Sequence, residues 1–510
     1  MDSAVAMKDE PRNCIRHHAL CGPCKLEIGR SPRCTIYKKD LLVLSKSYYY
    51  NLQQSWKTAD SIGGAKVQRI FNARIFLSLV ILALPLQAHA QNASGKVSVV
   101  TSYAKDVTDP IKKAFEAANP GVTLDVQNRN TNSGVKFLEE TKSNNQVDLF
   151  WASAPDAFEA LKVKSLLQAY KPKATGIPEK IGQFPINDPA GYYFGFAASG
   201  YGIMWNERYT KANKLPDPKE WSDLAAPAYF DHVSIAAPSR SGTTHLTIET
   251  ILQGDGWEKG WTSIRSMAGN FREVTERSFG VPEAVNSGQI GYGIVIDFFA
   301  FSAQASGFPV KFVYPSVTAI VPANIGIVAN SPNKAGAEAF VEFLLSDAGQ
   351  NLLFDPGIRR LPVNPSIYAK APAGYPNPFT DPRLNSMVKF DVKKSESRND
   401  VVDTLFDQTI TFQLSDLKQT AKAINDAAAA LAKKPNANGE ALLKDARRLM
   451  TAMPISEEQA SSSEIAGAFS GAKNQKGARQ AELEQQWASF AKDHNAQARA
   501  KAAEALKLAK

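Results

Sequence analysis

The run Pro238-Ser239-Arg240-Ser241-Gly242-Thr243-Thr244-His245-Leu246 concentrates hydroxyls, a glycine and a guanidinium where a strand pattern gives way to a helix pattern. The first amides of a helix have no intrahelical acceptor and lie at the positive end of its dipole, so such a junction suits an anion. Ser239, Ser241, Thr243 and Thr244 add hydroxyl donors, Gly242 allows close approach of the backbone, and Arg240 supplies a fork for phosphate or carboxylate. Ordinary N-capping by Ser or Thr explains the same residues equally well. His245 falls in the first turn, where a lone histidine is more often structural than a ligand.

Other candidates occupy equivalent loops. Asn128-Arg129-Asn130-Thr131-Asn132-Ser133-Gly134 follows a strand, and the carboxyl ends of strands are where open α/β sheets bind ligands. Arg129 and Asn130 are its candidate donors, against the reading of a solvated polar turn. Ser102 and Ser153 stand at the matching places after two further strands. Arg277-Ser278 opens another helix, with Ser278 as a cap and Arg277 as a charge partner; Asp297 either accepts from solute hydroxyls or caps a helix. Walker, GxSxG and HExxH signatures are missing, and after residue 90 the only histidines are His232, His245 and His494, without metal spacing. The residues favour binding over catalysis, with no cofactor and no metal. An enzyme acting on phosphate esters is a distant alternative.

The elements that must position these residues alternate strand and helix. Val97–Val100, Val122–Val126 and Val147–Trp151 read as strands; Val107, Ile111, Ala114, Phe115 and Ala118 recur at helical spacing; a helix spans Val135–Lys142; and Ser153-Ala154-Pro155-Asp156 opens another. Tyr192–Trp205 reads as extended chain crossing to a second lobe. That lobe holds strands at Val233–Ala237 and Gly293–Ile296 and helices at Gly242–Leu252 and Trp257–Met267, and Ser316–Ala329 returns the chain. Two α/β lobes joined by two crossings enclose a central cleft with a hinge. The expected divisions are lobe 1 over residues 95–195, lobe 2 over 196–315, the return and closing helices over 316–400 and a helical extension over 401–460. A Ser/Gly-rich linker (461–477) then leads to a polar tail from 478 to 510, which has few large apolar residues and reads as a solvated helix or partly disordered tail, with a partner-binding coiled coil as the alternative.

Residues 1–90 carry 13 of the 59 Lys and Arg and 6 of the 50 Asp and Glu, so the remaining 46 and 44 nearly cancel and imply no nucleic-acid partner. Cys14, Cys21, Cys24 and Cys34 all lie in this leader, and Cys21-Gly-Pro-Cys24 near His17 and His18 has a zinc alternative without a surrounding framework. A cysteine-free body suits an oxidising compartment. Arg69 and Arg74, the apolar run Ile75–Leu86 and Ala88-His89-Ala90 form a secretory signal over 67–90, cleaved after Ala90 to leave Gln91; the run is too short for a bilayer anchor. Residues 1–66 are then expected to precede the true translation start near Val67. A free periplasmic protein follows.

Several runs together resemble the extracellular solute-binding proteins of ABC importers, in the branch that handles iron, thiamine and phosphorylated solutes. They are Val97-Ser98-Val99-Val100-Thr101-Ser102-Tyr103, Val147-Asp148-Leu149-Phe150-Trp151-Ala152-Ser153, Gly200-Tyr201-Gly202-Ile203-Met204-Trp205-Asn206, Pro218-Lys219-Glu220-Trp221-Ser222-Asp223-Leu224 and the Pro238–Leu246 run. The resemblance covers about residues 95–375 well and extends to about 450. It implies a type II periplasmic binding fold and a monomer that delivers a small anionic solute to a permease and ATPase complex. Ferric members of the family carry a tyrosine pair where this chain has Asp297-Phe298-Phe299, and phenyl rings supply no phenolate to a hard cation. The serine-rich loop and helical extension are closer to the hexose-phosphate and phosphoglycerate binders. Ferric or thiamine binding, and a ligand-binding partner of a membrane sensor kinase, are the alternatives.

Overall fold

The computed structural model describes residues 93–385, 388–469 and 477–509. The four cysteines, the signal-like run and Gln91 lie outside the described residues.

Lobe 1 is built from three strand–helix units. Strands β1 (Gly95–Thr101), β2 (Val122–Asn128) and β3 (Leu149–Ala152) run parallel in the order β2-β1-β3. β1 is buried from Val97 to Thr101, as a strand covered on both faces must be, and its β-branched run fits that setting. Helix α1 (Lys105–Ala118) turns Val107, Ile111 and Phe115 into the core at four-residue spacing. Helix α2 (Thr131–Glu140) starts earlier than the apolar periodicity suggests, because the Asn130 side chain accepts from the Ser133 amide at 2.7 Å and caps it. Helix α3 (Pro155–Val163) opens on proline, where no amide donor is needed.

Strand β4 (Phe194–Asn206) has 13 residues, all buried. Lobe 2 follows with β5 (Val233–Ala236), α4 (Gly242–Asp255), α5 (Trp257–Ala268), β6 (Phe271–Thr275), α6 (Gly280–Asn286), β7 (Tyr292–Ile296), α7 (Asp297–Ala305) and β8 (Val310–Val313). The chain then returns through β9 (Ile320–Val328) to α8 (Lys334–Leu345). Along the sheet the order is β2-β1-β3-β9-β4-β7-β5-β6, with β8 also on β4. The first half of β4 pairs antiparallel with β9, from Phe194 opposite Ile325 to Gly200 opposite Ile320. Its second half pairs with β7, from Tyr201 opposite Ile296 to Trp205 opposite Tyr292. One strand therefore serves both lobes, and its allegiance changes between Gly200 and Tyr201. A short strand, β10 (Leu361–Pro362), joins β4 opposite Ala198 and Ala197 and brings the preceding residue, Arg360, to this crossing.

The C-terminal part comprises α9 (Val392–Ser397), α10 (Asn399–Phe406), a π-helical turn at Asp407–Thr411, α11 (Leu414–Lys433), α12 (Ala437–Thr451) and α13 (Ala478–Leu508). The expectation of a solvated tail is corrected for α13. This helix buries Leu483, Trp487, Ala491, Ala498, Ala502 and Ala505, and packs with α11 and α12. Alanines along one face let helix axes approach closely, so a face poor in large side chains still forms a core. That core is continuous with lobe 2: Trp261, Ile264 and Met267 of α5 belong to the same apolar cluster as Leu417, Leu449 and Trp487. The presumed linker is partly helical, at Glu457–Ala460 and Ser463–Phe469, and its residues 470–476 lie outside the described residues.

Arg265 of α5 is fully buried at this junction and ties the pieces together. Its Nε donates to Met450 O at 2.8 Å, Nη1 to Thr409 O at 2.9 Å and Nη2 to Asn495 Oδ1 at 3.4 Å. Burial lowers its pKa to about 10, which still leaves it charged at neutral pH. Arg265→Leu should cost about 2–4 kcal/mol in chemical denaturation, because carbonyls that accept charged donors become buried without partners.

Candidate functional site

The carboxyl ends of β1, β2 and β3 face those of β5, β6 and β7 across the interlobe cleft. The lobes touch there. Asn132 Nδ2 donates to Ser239 O at 3.0 Å, and Arg277 Nη2 donates to Asn128 Oδ1 at 3.2 Å. Gly242 packs so tightly that an added Cβ would lie 2.8 Å from Ala154 Cβ and 3.0 Å from Thr131 Cγ2.

The loop before α4 is partly self-satisfied. Ser241 caps the helix through the Thr244 amide at 3.2 Å, and Thr244 Oγ1 donates to Ser241 Oγ at 3.1 Å. The amides of Arg240 and Ser241 are occupied by Ala237 O and Pro238 O. Among the described residues, the amides of Gly242 and Thr243 have no acceptor. Arg240 is exposed and pairs with Glu276, while the Ser239 hydroxyl serves Asp407. His245 is the most heavily committed of the candidates. Its Nδ1 meets Asp403 Oδ1 at 2.7 Å and its Nε2 meets Ser395 Oγ at 3.0 Å, with Asp156 Oδ2 3.4 Å away, so neither ring nitrogen is left for a solute.

In lobe 1, Asn130 is spent on capping α2, and Ser102 is half-buried directly after β1. Arg129 stacks 3.8 Å over the Phe137 ring, with its Nε buried and unpartnered. In lobe 2, Ser278 precedes α6, but Phe279 takes the N-cap position and makes no side-chain cap. Asp297 is fully buried, unlike a surface cap. Its Oδ2 accepts from Gly200 N at 2.7 Å and from Tyr314 OH at 2.8 Å, while its Oδ1 has no partner. Burial pushes this carboxyl up to about 6 against those hydrogen bonds. Tyr192 and Tyr193 stay on the lobe 1 side: Tyr193 OH donates to Glu159 of α3 at 3.0 Å.

The residue that sequence reasoning missed is Arg360. It has no exposed surface, and its Nη1 donates to Ser153 Oγ at 3.0 Å, which also meets Tyr103 OH at 3.0 Å. Its guanidinium lies 4.3 Å from the Tyr103 ring centroid of lobe 1 and 3.7 Å from that of Phe298 in lobe 2. Its Nε and Nη2 are buried without acceptors. Burial lowers its pKa, and Tyr103 and Asp297 partly restore it. No ion pair among the described residues joins Arg360 to Asp297, although Arg360 is near enough to act on that carboxyl. Ser153, read from its loop position, is thus brought together with Asp297 through a cation whose only sequence signal was the Arg359-Arg360 pair before a two-residue strand.

Residues 144–388 match the family model of the bacterial extracellular solute-binding proteins, ending just ahead of α9. The match covers just under half of the chain, and the architecture around it is the type II periplasmic binding fold of such solute-binding proteins. Over 365 residues it is 29% identical to the phosphoglycerate transport regulatory protein PgtC of Salmonella typhimurium, covering 72% of this chain and 87% of that protein. Among solved structures, the periplasmic binding protein AfuA of Actinobacillus pleuropneumoniae, with fructose-6-phosphate bound, superposes with a TM-score of 0.55 at 20% identity, covering 62% of this chain and 98% of that one. Iron-bound HitA of Pseudomonas aeruginosa superposes with a TM-score of 0.50 at 14% identity, over 60% of this chain and 98% of its own.

The His245 cluster sets a pH dependence. Burial alone would lower the imidazole, but Asp403, aided by Asp156 and Glu249, overcomes it and raises the pKa from 6.5 to about 9. A folded-state pKa above the unfolded one means that the stabilisation is full below about pH 6.5 and is lost as pH rises through about 9, a change on the order of 3 kcal/mol. The melting temperature of wild type should therefore fall between pH 7 and 10, and His245→Gln should flatten that fall while lowering stability at pH 6.

Proposed function

We propose that this protein captures a small anionic solute, a phosphate ester or a phosphonate, between its lobes and releases it unchanged to the permease. The observation that carries the reading is Arg360, a buried cation held by both lobes with two donors unspent. A buried charge is strongly penalised unless paired, so this position selects for an anion and against cations. A ferric ion or the thiazolium of thiamine would face that guanidinium, and Phe298 and Phe299 offer no phenolate to a metal. The phosphoryl group is assigned to the start of α4, where the Gly242 and Thr243 amides add to the helix dipole. The fructose-6-phosphate in AfuA and the phosphoglycerate in the name of PgtC support a phosphorylated class.

A second reading, in which the loaded form is handed to a membrane sensor kinase, is favoured by the word regulatory in the name of PgtC. Export is assigned to residues 67–90, and N-terminal sequencing of the mature protein should return Gln91.

A thermal-shift series tests the class. At about 100 times its dissociation constant a solute binding only the folded state stabilises by about 2.7 kcal/mol, which is several degrees for a chain of this size. Fructose 6-phosphate, phosphoglycerates or a phosphonate should produce that shift; a shift with ferric citrate or thiamine alone would reverse the assignment. Thr243→Ala should weaken the phosphorylated solute by about 1–3 kcal/mol in calorimetry.

A further inference from the structure

The helices beyond residue 388, where the match to the family model ends, are fastened to both lobes at one buried point. Asp156 of lobe 1 lies in the first turn of α3. Its Oδ2 accepts from Ser395 Oγ of α9 at 3.2 Å and from Asn399 Nδ2 of α10 at 3.3 Å, and it lies 3.4 Å from Nε2 of His245 in lobe 2. From the other side, Asp403 of α10 meets His245 Nδ1 at 2.7 Å and also accepts from Asn132 of lobe 1 at 3.3 Å. The imidazolium therefore holds its charge between a carboxyl group of lobe 1 and one of the extension. Burial raises the Asp156 carboxyl, and His245 is the strongest influence opposing that rise.

The chain has no slack at this point. α9 packs against α3 of lobe 1, whereas Arg398 forks onto Glu249 of α4 in lobe 2, with both side chains buried. Arg398 is also the single residue between the end of α9 at Ser397 and the start of α10 at Asn399. Consecutive Cα atoms are about 3.8 Å apart, so one residue cannot bridge lobes that swing apart. A hinge motion about the β4 crossing must then pull α9 off α3 or Arg398 off Glu249. We infer that α9 and α10 are a strap that holds the lobes together in the solute-free protein, with Asp156, His245 and Asp403 as its clasp. A solute enters only after the clasp has parted, so the strap sets how readily the cleft fills. It acts alike on every solute and stands or falls apart from the phosphate assignment.

Pulsed electron paramagnetic resonance between the lobes tests the strap on the full chain, with Cys14, Cys21, Cys24 and Cys34 changed to serine and no solute added. Spin labels go on Lys105→Cys at the start of α1 and Glu283→Cys in α6, both exposed positions on helices that begin at the cleft. This parent should show one short interlobe distance. Asn399→Ala removes one donor to Asp156, and Asp156→Ala removes the lobe 1 half of the clasp. Each should add a longer distance, raising the ratio of open to closed molecules by about tenfold, the worth of one hydrogen bond to a charged group. The melting temperature of each variant reports folding, and distances are taken well below it. If Asp156→Ala fails to fold, Asn399→Ala, which deletes one half-buried amide, decides. A longer distance in the folded variants upholds the strap. The parent distance kept in every folded variant, or a parent already spread over open and closed distances, overturns it.

Discussion

Both lobes share one long strand. β4 must satisfy its backbone donors and acceptors against β9 for half its length and against β7 and β8 for the rest, with all 13 residues buried. That demands small residues where neighbours come close. At Gly202 an added Cβ would lie 2.2 Å from Val313 O, and at Gly195 it would lie 2.6 Å from Ile186 O. The ladder changes partner between Gly200 and Tyr201, and this is also where Asp297 accepts the Gly200 amide. The backbone of the crossing is therefore tied to the candidate residue Asp297, which cannot be repositioned without disturbing the strand shared by both halves.

The polar groups gathered at this crossing are expensive to bury. Tyr201 OH, Asp297 Oδ1 and two donors of Arg360 have no protein partner, in an interior where most buried polar atoms do. Burial raises Tyr201 and Tyr103 and lowers Arg360, each shift marking a charged form held away from water. Contrast the His245 cluster a short distance along α4, where Asp403, Ser395 and Asp156 close every valence of the ring. One network is complete and the other is left open. The complete network accounts for itself within the protein, whereas the open one, near the carboxyl ends of strands, is what the proposed binding role draws on.

The α/β alternation, the extended crossing and the return strand were all legible in the sequence, because β-branched runs and helical apolar spacing report burial directly. The loops after β1, β2 and β3 were legible as positions, since topology puts them in the cleft, but their side-chain roles were not. Ser153 and Ser102 look alike in sequence, yet only Ser153 meets a guanidinium, and that partner comes from 207 residues further along the chain. His245 and Asp297 were weighed as isolated residues; their settings come from Asp403, Tyr314 and Arg360, which no local pattern connects to them. The α13 helix was misjudged for a related reason. Counting large apolar side chains undervalues a face of alanines, whose contribution depends on how closely another helix can approach.

The C-terminal helices follow the end of the family match at residue 388, yet they are not an independent appendage. α9 and α10 run beside the cleft, and their residues reach both lobes. Ser395 and Asn399 donate to Asp156 of lobe 1, at 3.2 and 3.3 Å. Asp403 meets His245 of lobe 2 and also accepts from Asn132 of lobe 1 at 3.3 Å. Arg398 forms a two-pronged pair with Glu249 of α4, at 2.8 and 2.9 Å, both side chains being buried. The Arg398–Glu249 fork is bidentate and buried, while α9 itself packs against α3 of lobe 1, so these helices are fastened to both lobes. The extension is in this sense a brace across the cleft, tied to lobe 1 at Asp156 and Asn132, at the starts of α3 and α2, and to lobe 2 at His245 and Glu249 of α4.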